Sequence, residues 1–152
     1  MRTTIVALAA IIATVVALAQ PAGAVGSCTN RDDYVICFTV TWFAPRTYAV
    51  HIGLDVAMSR DEAQRLIDTY GDGTVVAIVK GLDGWESDLL FGVPLTWVAA
   101  TDSGLSAELD VNVTQDSLNE DDTWYDRRDE IVAIVGPARH TVIYSEEIHA
   151  YF

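Results

Sequence analysis

Between Thr47 and Gly71 the hydrophobic period of this chain changes from two to about 3.6, so a strand must pass directly into a helix. In TYAVHIGLDVAM the apolar Tyr48, Val50, Ile52, Leu54, Val56 and Met58 alternate with Ala49, His51, Gly53, Asp55 and Ala57. Such alternation buries one face of a strand and leaves the other largely in water. Ser59-Arg60-Asp61-Glu62 then has the spacing of a capping box, in which hydroxyl and carboxylate each satisfy a free backbone N–H. Ala63, Leu66, Ile67 and Tyr70 form a helical stripe and Gly71 supplies a C-terminal stop, which predicts a helix over Arg60–Tyr70.

The remaining pattern is that of strands. Tyr34 to Phe43 places Ile36, Phe38, Val40 and Trp42 on one face, with Trp42 expected in the core. Thr74 to Lys80 contains Val75 to Val79, apolar on both faces, which predicts a central position in a sheet. Leu95 to Ala100 follows Pro94, a residue suited to a strand start or an edge. Leu105, Ala107, Leu109, Val111 and Val113 alternate with Ser106, Glu108, Asp110, Asn112 and Thr114. Glu130 to Val135, His140 to Tyr144 and a short piece within Ile148 to Phe152 complete the set, whereas Ser27 to Asp33 reads as a polar turn. About seven strands with frequent turn signals, and one inserted helix, predict a mainly β fold: a single-domain β-sandwich.

The first 24 residues read as an export signal. Arg2 precedes an uncharged apolar run from Ile5 to Ala19, and Ala22-Gly23-Ala24 fits a small-residue cleavage site. The run has 15 residues, short of the roughly 20 a membrane-spanning helix needs, and no later stretch is a transmembrane candidate. The expected product is a secreted domain over residues 25–152. Its two cysteines, Cys28 and Cys37, are expected to form a disulfide in that compartment. Val25-Gly26-Ser27-Cys28 is also a loose lipobox, which makes lipid anchoring at Cys28 the minor alternative. Without Arg2 the chain has eight basic residues against 22 acidic ones, a net of −14. A field of that sign repels phosphate backbones, so nucleic acid is excluded as a partner.

MSRDEAQRLID after the alternating strand, GLSAELDV in the middle and LNEDD…DEIVAIV near the end resemble small secreted β-rich proteins of uncharacterised function from high-GC Gram-positive bacteria. The resemblance implies secretion and a β-rich fold, and supplies no activity and no site residues.

Chemistry concentrates in DSLNEDDTWYDRRDE, Asp116 to Glu130, with seven acids against two arginines. Flexible acidic loops supply the six to eight oxygens that calcium takes. The candidate ligands are Asp116, Asp121, Asp122, Asp126, Asp129 and Glu130, set against the plainer reading of a solvated loop. The spacing is not that of an EF-hand. Trp85 and Trp124 lie in polar loops beside carboxylates, where an indole can stack on a sugar while the acids accept its hydroxyl hydrogen bonds. Trp97 reads as core or edge, and His51 as a surface histidine. Enzyme signatures are weak: Gly104-Leu105-Ser106-Ala107-Glu108 lacks the last glycine of a nucleophile elbow. His51, His140 and His149 form no His-x-x-x-His pair. Asn112-Val113-Thr114 is a glycosylation sequon within a strand. No catalytic residue is assigned. The expectation is a secreted, non-enzymatic binding protein for an unknown extracellular protein or glycan. The alternatives are a calcium-dependent or carbohydrate-binding module and a small secreted hydrolase with paired carboxylates.

Overall fold

The computed structural model describes residues 23–82, 88–119 and 129–152. In chain order these hold β1 (Ala24–Asn30), β2 (Tyr34–Ala44), β3 (Thr47–Ala57), α1 (Arg60–Tyr70), β4 (Val75–Gly81), β5 (Leu89–Val93) and β6 (Leu95–Thr101). There follow β7 (Gly104–Thr114), β8 (Asp129–Pro137), β9 (Ile143–Tyr144) and β10 (Ile148–Ala150). One antiparallel sheet has the order β1-β2-β3-β7-β6; the other has the order β10-β8-β4-β5, with β9 also on β8.

Alternation does the sorting. Ile36, Phe38 and Val40 on β2, Val50, Ile52 and Leu54 on β3, and Leu105, Ala107 and Leu109 on β7 all turn inward and are buried. From the second sheet Val75, Ala77 and Val79 on β4, and Ile131, Ala133 and Val135 on β8, join the same core. Burying such side chains from water contributes roughly 1.5–3 kcal/mol each. β4 lies between β8 and β5, the interior place its two-sided apolar pattern predicts.

The strand-to-helix passage folds where the sequence places it, with the Ser59 half of the capping box formed. Ser59 Oγ accepts from the Glu62 N–H at 3.2 Å, and Gly71 takes a positive φ of 52° while its N–H reaches the Ile67 carbonyl. Ala63 and Leu66 are buried, which fixes the helix to the core beside β6 and β7.

Three expectations need correction. Ten strands stand among the described residues instead of about seven. Part of the excess is β1, where a turn was expected over Ser27–Asp33. Thr29 is buried and Val25 packs against the core, while Ser27 Oγ donates to the Glu146 carbonyl at 3.0 Å. Small polar residues thus pair as a strand because their neighbours inside the fold accept them. β5 was not anticipated either: the chain passes from the second sheet to the first at Pro94, between β5 and β6. Finally, Trp42 is 53% exposed. It has core parity, but it sits at the last regular pair of β2, where the register shifts between Trp42 and Ala44.

Candidate functional site on the outer face of the first sheet

The polar positions of β3 and β7 face outward together because these strands pair in register over their whole length. His51 lies opposite Asp110, and Gly53 opposite Glu108. The same pairing extends to the neighbouring strands. One row crosses all five: Cys28, Cys37, Gly53, Glu108 and Trp97 are successive partners. The row beside it runs Gly26, Thr39, His51 and Asp110. On β6 the register shifts between Leu95 and Trp97, and this irregularity brings Thr96 to the end of that second row.

At the centre an imidazole lies between two carboxylates. His51 Nδ1 is 2.8 Å from Asp110 Oδ1, and Nε2 is 3.1 Å from Glu108 Oε2. Both contacts act as donor–acceptor pairs at once only when the ring carries two protons. All three side chains are between 41% and 48% exposed. Asp110 has a further partner, since Thr96 Oγ1 donates to Oδ2 at 2.5 Å. The same hydroxyl is 3.0 Å from the Glu108 carbonyl, but its single proton serves one acceptor at a time.

The Asp110 carboxyl is held below its ordinary value. Partial desolvation is the largest influence and works upward, but the hydrogen bonds from Thr96 and His51, with the charge of His51, outweigh it together. Glu108 is held differently. Its Oε2 is closed off from solvent and has no hydrogen bond, because the nearby Nε2 is within ion-pair range but off the line a hydrogen bond needs. Gly53 leaves the space beside this contact open: a Cβ there would sit 3.6 Å from both Glu108 Oε2 and His51 Nε2. Trp97, directly opposite Glu108 on β6, is 48% exposed.

The second sheet carries a smaller version of the same device. His149 on β10 lies opposite Glu130 on β8, with Nδ1 3.0 Å from Glu130 Oε1 and Nε2 3.5 Å from Glu147 Oε2.

The residues singled out in sequence are distributed as follows. Cys28 and Cys37 are bonded across β1 and β2 on the outer face. Asp116 is engaged by Arg46, with Nη2 2.6 Å from Oδ1. Asp129 and Glu130 are successive residues of β8 and so point to opposite faces. Asp129 is buried and accepts from the Phe152 N–H, whereas Glu130 is turned to His149. The structure therefore does not bring these two carboxylates to one ion. Asp121, Asp122, Asp126, Trp85 and Trp124 lie outside the described residues. Among the described residues no group of three or more His, Cys, Asp or Glu side chains is placed to hold a metal ion.

The central cluster of His51, Thr96, Trp97, Glu108 and Asp110 was not assembled from sequence. Its only sequence signal was parity: His51, Glu108 and Asp110 all occupy the polar positions of alternating strands. As an assembly it offers fixed carboxylate acceptors, an imidazole donor and an aromatic plate on a surface of small side chains. Compared with known proteins, the chain matches no family model, no curated protein and no solved structure.

Proposed function

We propose that this chain is an exported, non-enzymatic binding protein that works outside the cell, built as a β-sandwich and engaging its partner across the outer face of the first sheet. The observation that carries this reading is the registered row from the disulfide to Trp97, with His51, Glu108 and Asp110 at its middle. On that face Asp110 is hydrogen-bonded by both His51 and Thr96 and stands fixed. Side chains fixed before binding lose less freedom when a ligand arrives, which is how a preorganised surface gains affinity.

Binding is favoured over turnover by the way the polar groups are used. His51 Nδ1 is paired with Asp110 while Nε2 lies beside Glu108, and the Thr96 hydroxyl donates to Asp110 and not to the imidazole. The Thr96 hydroxyl donates to a carboxylate that His51 already engages, and among the described residues neither cysteine is a free thiol. Export is supported by the leader pattern of Met1 to Ala24 and by the Cys28–Cys37 bond, a cross-link typical of oxidising compartments. The bond also uses the sulfur that a lipid anchor on Cys28 would need. No helix among the described residues is long and apolar enough to cross a membrane.

The test has two parts. Intact mass of the exported protein should give a chain starting at Val25 with two hydrogens lost to the disulfide. The same protein should co-sediment with cell envelopes of the producing organism, and a Trp97→Ala/Glu108→Gln variant should stay in the supernatant. Retention inside the cell, or equal sedimentation of the variant, overturns the proposal.

A further inference from the structure

Resting on that reading of the outer face, we infer that its ligand is an uncharged glycan laid across the strands, with one sugar stacked on Trp97. The shape comes first. From Cys28 to Trp97 the row crosses four inter-strand steps of about 4.8 Å, or roughly 19 Å, the scale of a short oligosaccharide. Along it and its neighbour stand Gly26, Thr39 and Gly53, so the surface between the disulfide and the indole is low and open. Ala49 and Thr41 continue that floor one row further.

The polar groups suit hydroxyls. Each Asp110 oxygen already accepts one hydrogen bond, from His51 or Thr96, and a carboxylate oxygen has a second acceptor position to offer. Acceptors held this firmly match a ligand that brings many O–H donors and little charge. The aromatic partner is in place too: Trp97 is half exposed and directly opposed to Glu108, so a ring resting on the indole has a carboxylate at its rim. Water-bridged contacts would complete such a wet interface.

Charge narrows the class. A chain of formal net charge −13 with two acids in the site repels sulfated and uronic polymers. A cationic peptide is the natural rival, because an indole beside a carboxylate also accepts ammonium and guanidinium groups. His51, however, already fills the space between Glu108 and Asp110 that such a cation would take.

The experiment is an amide titration of the isotopically labelled mature protein with cellotetraose, maltotetraose, mannotetraose and N-acetylchitotetraose, run beside hexalysine at matched ionic strength. At least one tetrasaccharide should shift amides of β3, β6 and β7 together with the Trp97 indole N–H. Trp97→Ala should weaken that affinity roughly tenfold or more, as the loss of an aromatic anchor does. Thr39→Lys, an outward substitution that fills the floor without touching the core, should abolish it while the melting temperature stays put. Hexalysine shifting those amides with no response to any sugar overturns the inference and reassigns the face to a cationic partner. Silence towards all five probes also overturns it. If the face variants still fail to co-sediment with envelopes in that case, the binding function stands and only the ligand class is wrong.

Discussion

At Gly104 a single hydrogen atom in place of a side chain holds the turn into β7. Its φ is +139°, and an added Cβ would overlap the Val56 carbonyl oxygen and crowd the Met58 N–H. Both clashes are with backbone of the neighbouring strand end, which cannot rotate away. Gly104→Ala should therefore cost about 2 kcal/mol or more. At this chain length that lowers the melting temperature by roughly 6–12 °C. Calorimetry that finds a drop of under ~2 °C would contradict the close approach. Asp110 gives a prediction in pH. Its folded value is depressed from 3.8, so the stability it contributes is fully present above 3.8 and is lost as pH falls through the lower folded value. The stability gap between the wild-type chain and Asp110→Asn should be constant from neutrality down to about pH 5 and should narrow only below about pH 4. Because Asp110 is half exposed, solvent screening keeps the gap small. Denaturant titrations across that range measure it, and a gap that already narrowed well above pH 5 would contradict the assignment to Asp110. The sequence displayed His51, Glu108 and Asp110 as outward-facing residues of strands, whereas Trp97 read as core or edge. It did not display their meeting, because parity fixes a face while only strand order and register fix a neighbour.

Strand β1 shows the same limit one level up. It is an edge strand, paired with β2 alone, and the Cys28–Cys37 bond links two directly opposed residues. Thr29 Oγ1 also accepts from the Glu146 N–H, so the edge of the first sheet is tied to the approach to β10 in the second. Replacing both cysteines by serine should remove about 2–3 kcal/mol, since the bridge closes a short loop. The loss should be local before it is global. Hydrogen exchange should show amides of β1 and β10 losing protection first, with β3 and β7 changed only by the overall stability difference. Uniform loss across all strands would make β1 part of the main cooperative unit. Elements with long alternation, β2, β3 and β7, and the capped α1 were legible in sequence within a residue or two. β1 was not, because Gly26-Ser27-Cys28-Thr29-Asn30 consists of small, turn-favouring residues whose strand state comes from pairing. β5 was missed for a related reason: Leu90 and Phe91 are only partly buried, so its alternation is blurred. The 3₁₀ turn at Gln115–Ser117 begins the acidic connection, and there Asp116 is directed to Arg46.

For the molecule as a whole the governing quantity is charge. Nine basic residues face 22 acidic ones, giving a formal −13. A chain of this size has a radius of gyration of about 14 Å. The screening length is roughly 30 Å at 0.01 M salt and 10 Å at 0.1 M. At low salt every acid therefore feels every other, whereas near 0.1 M only neighbours interact. The attractive pairs do not offset this. Arg46–Asp116 and Arg60–Asp102 are both exposed, the less covered side chain reaching 94% exposure, and pairs of that kind contribute little. Net repulsion should dominate. The melting temperature at neutral pH should accordingly rise between about 0.01 and 0.3 M sodium chloride, with most of the gain below about 0.1 M. Arg46→Gln should leave that curve nearly unchanged in shape, since it removes one weak pair from a field set by all the acids. His51→Gln should steepen it, because Glu108 and Asp110 then face each other without the imidazole between them. Differential scanning calorimetry on the three proteins at four salt concentrations would measure this. A melting temperature that fell with added salt would mean that specific ion pairs, and not net repulsion, set the electrostatics of the fold.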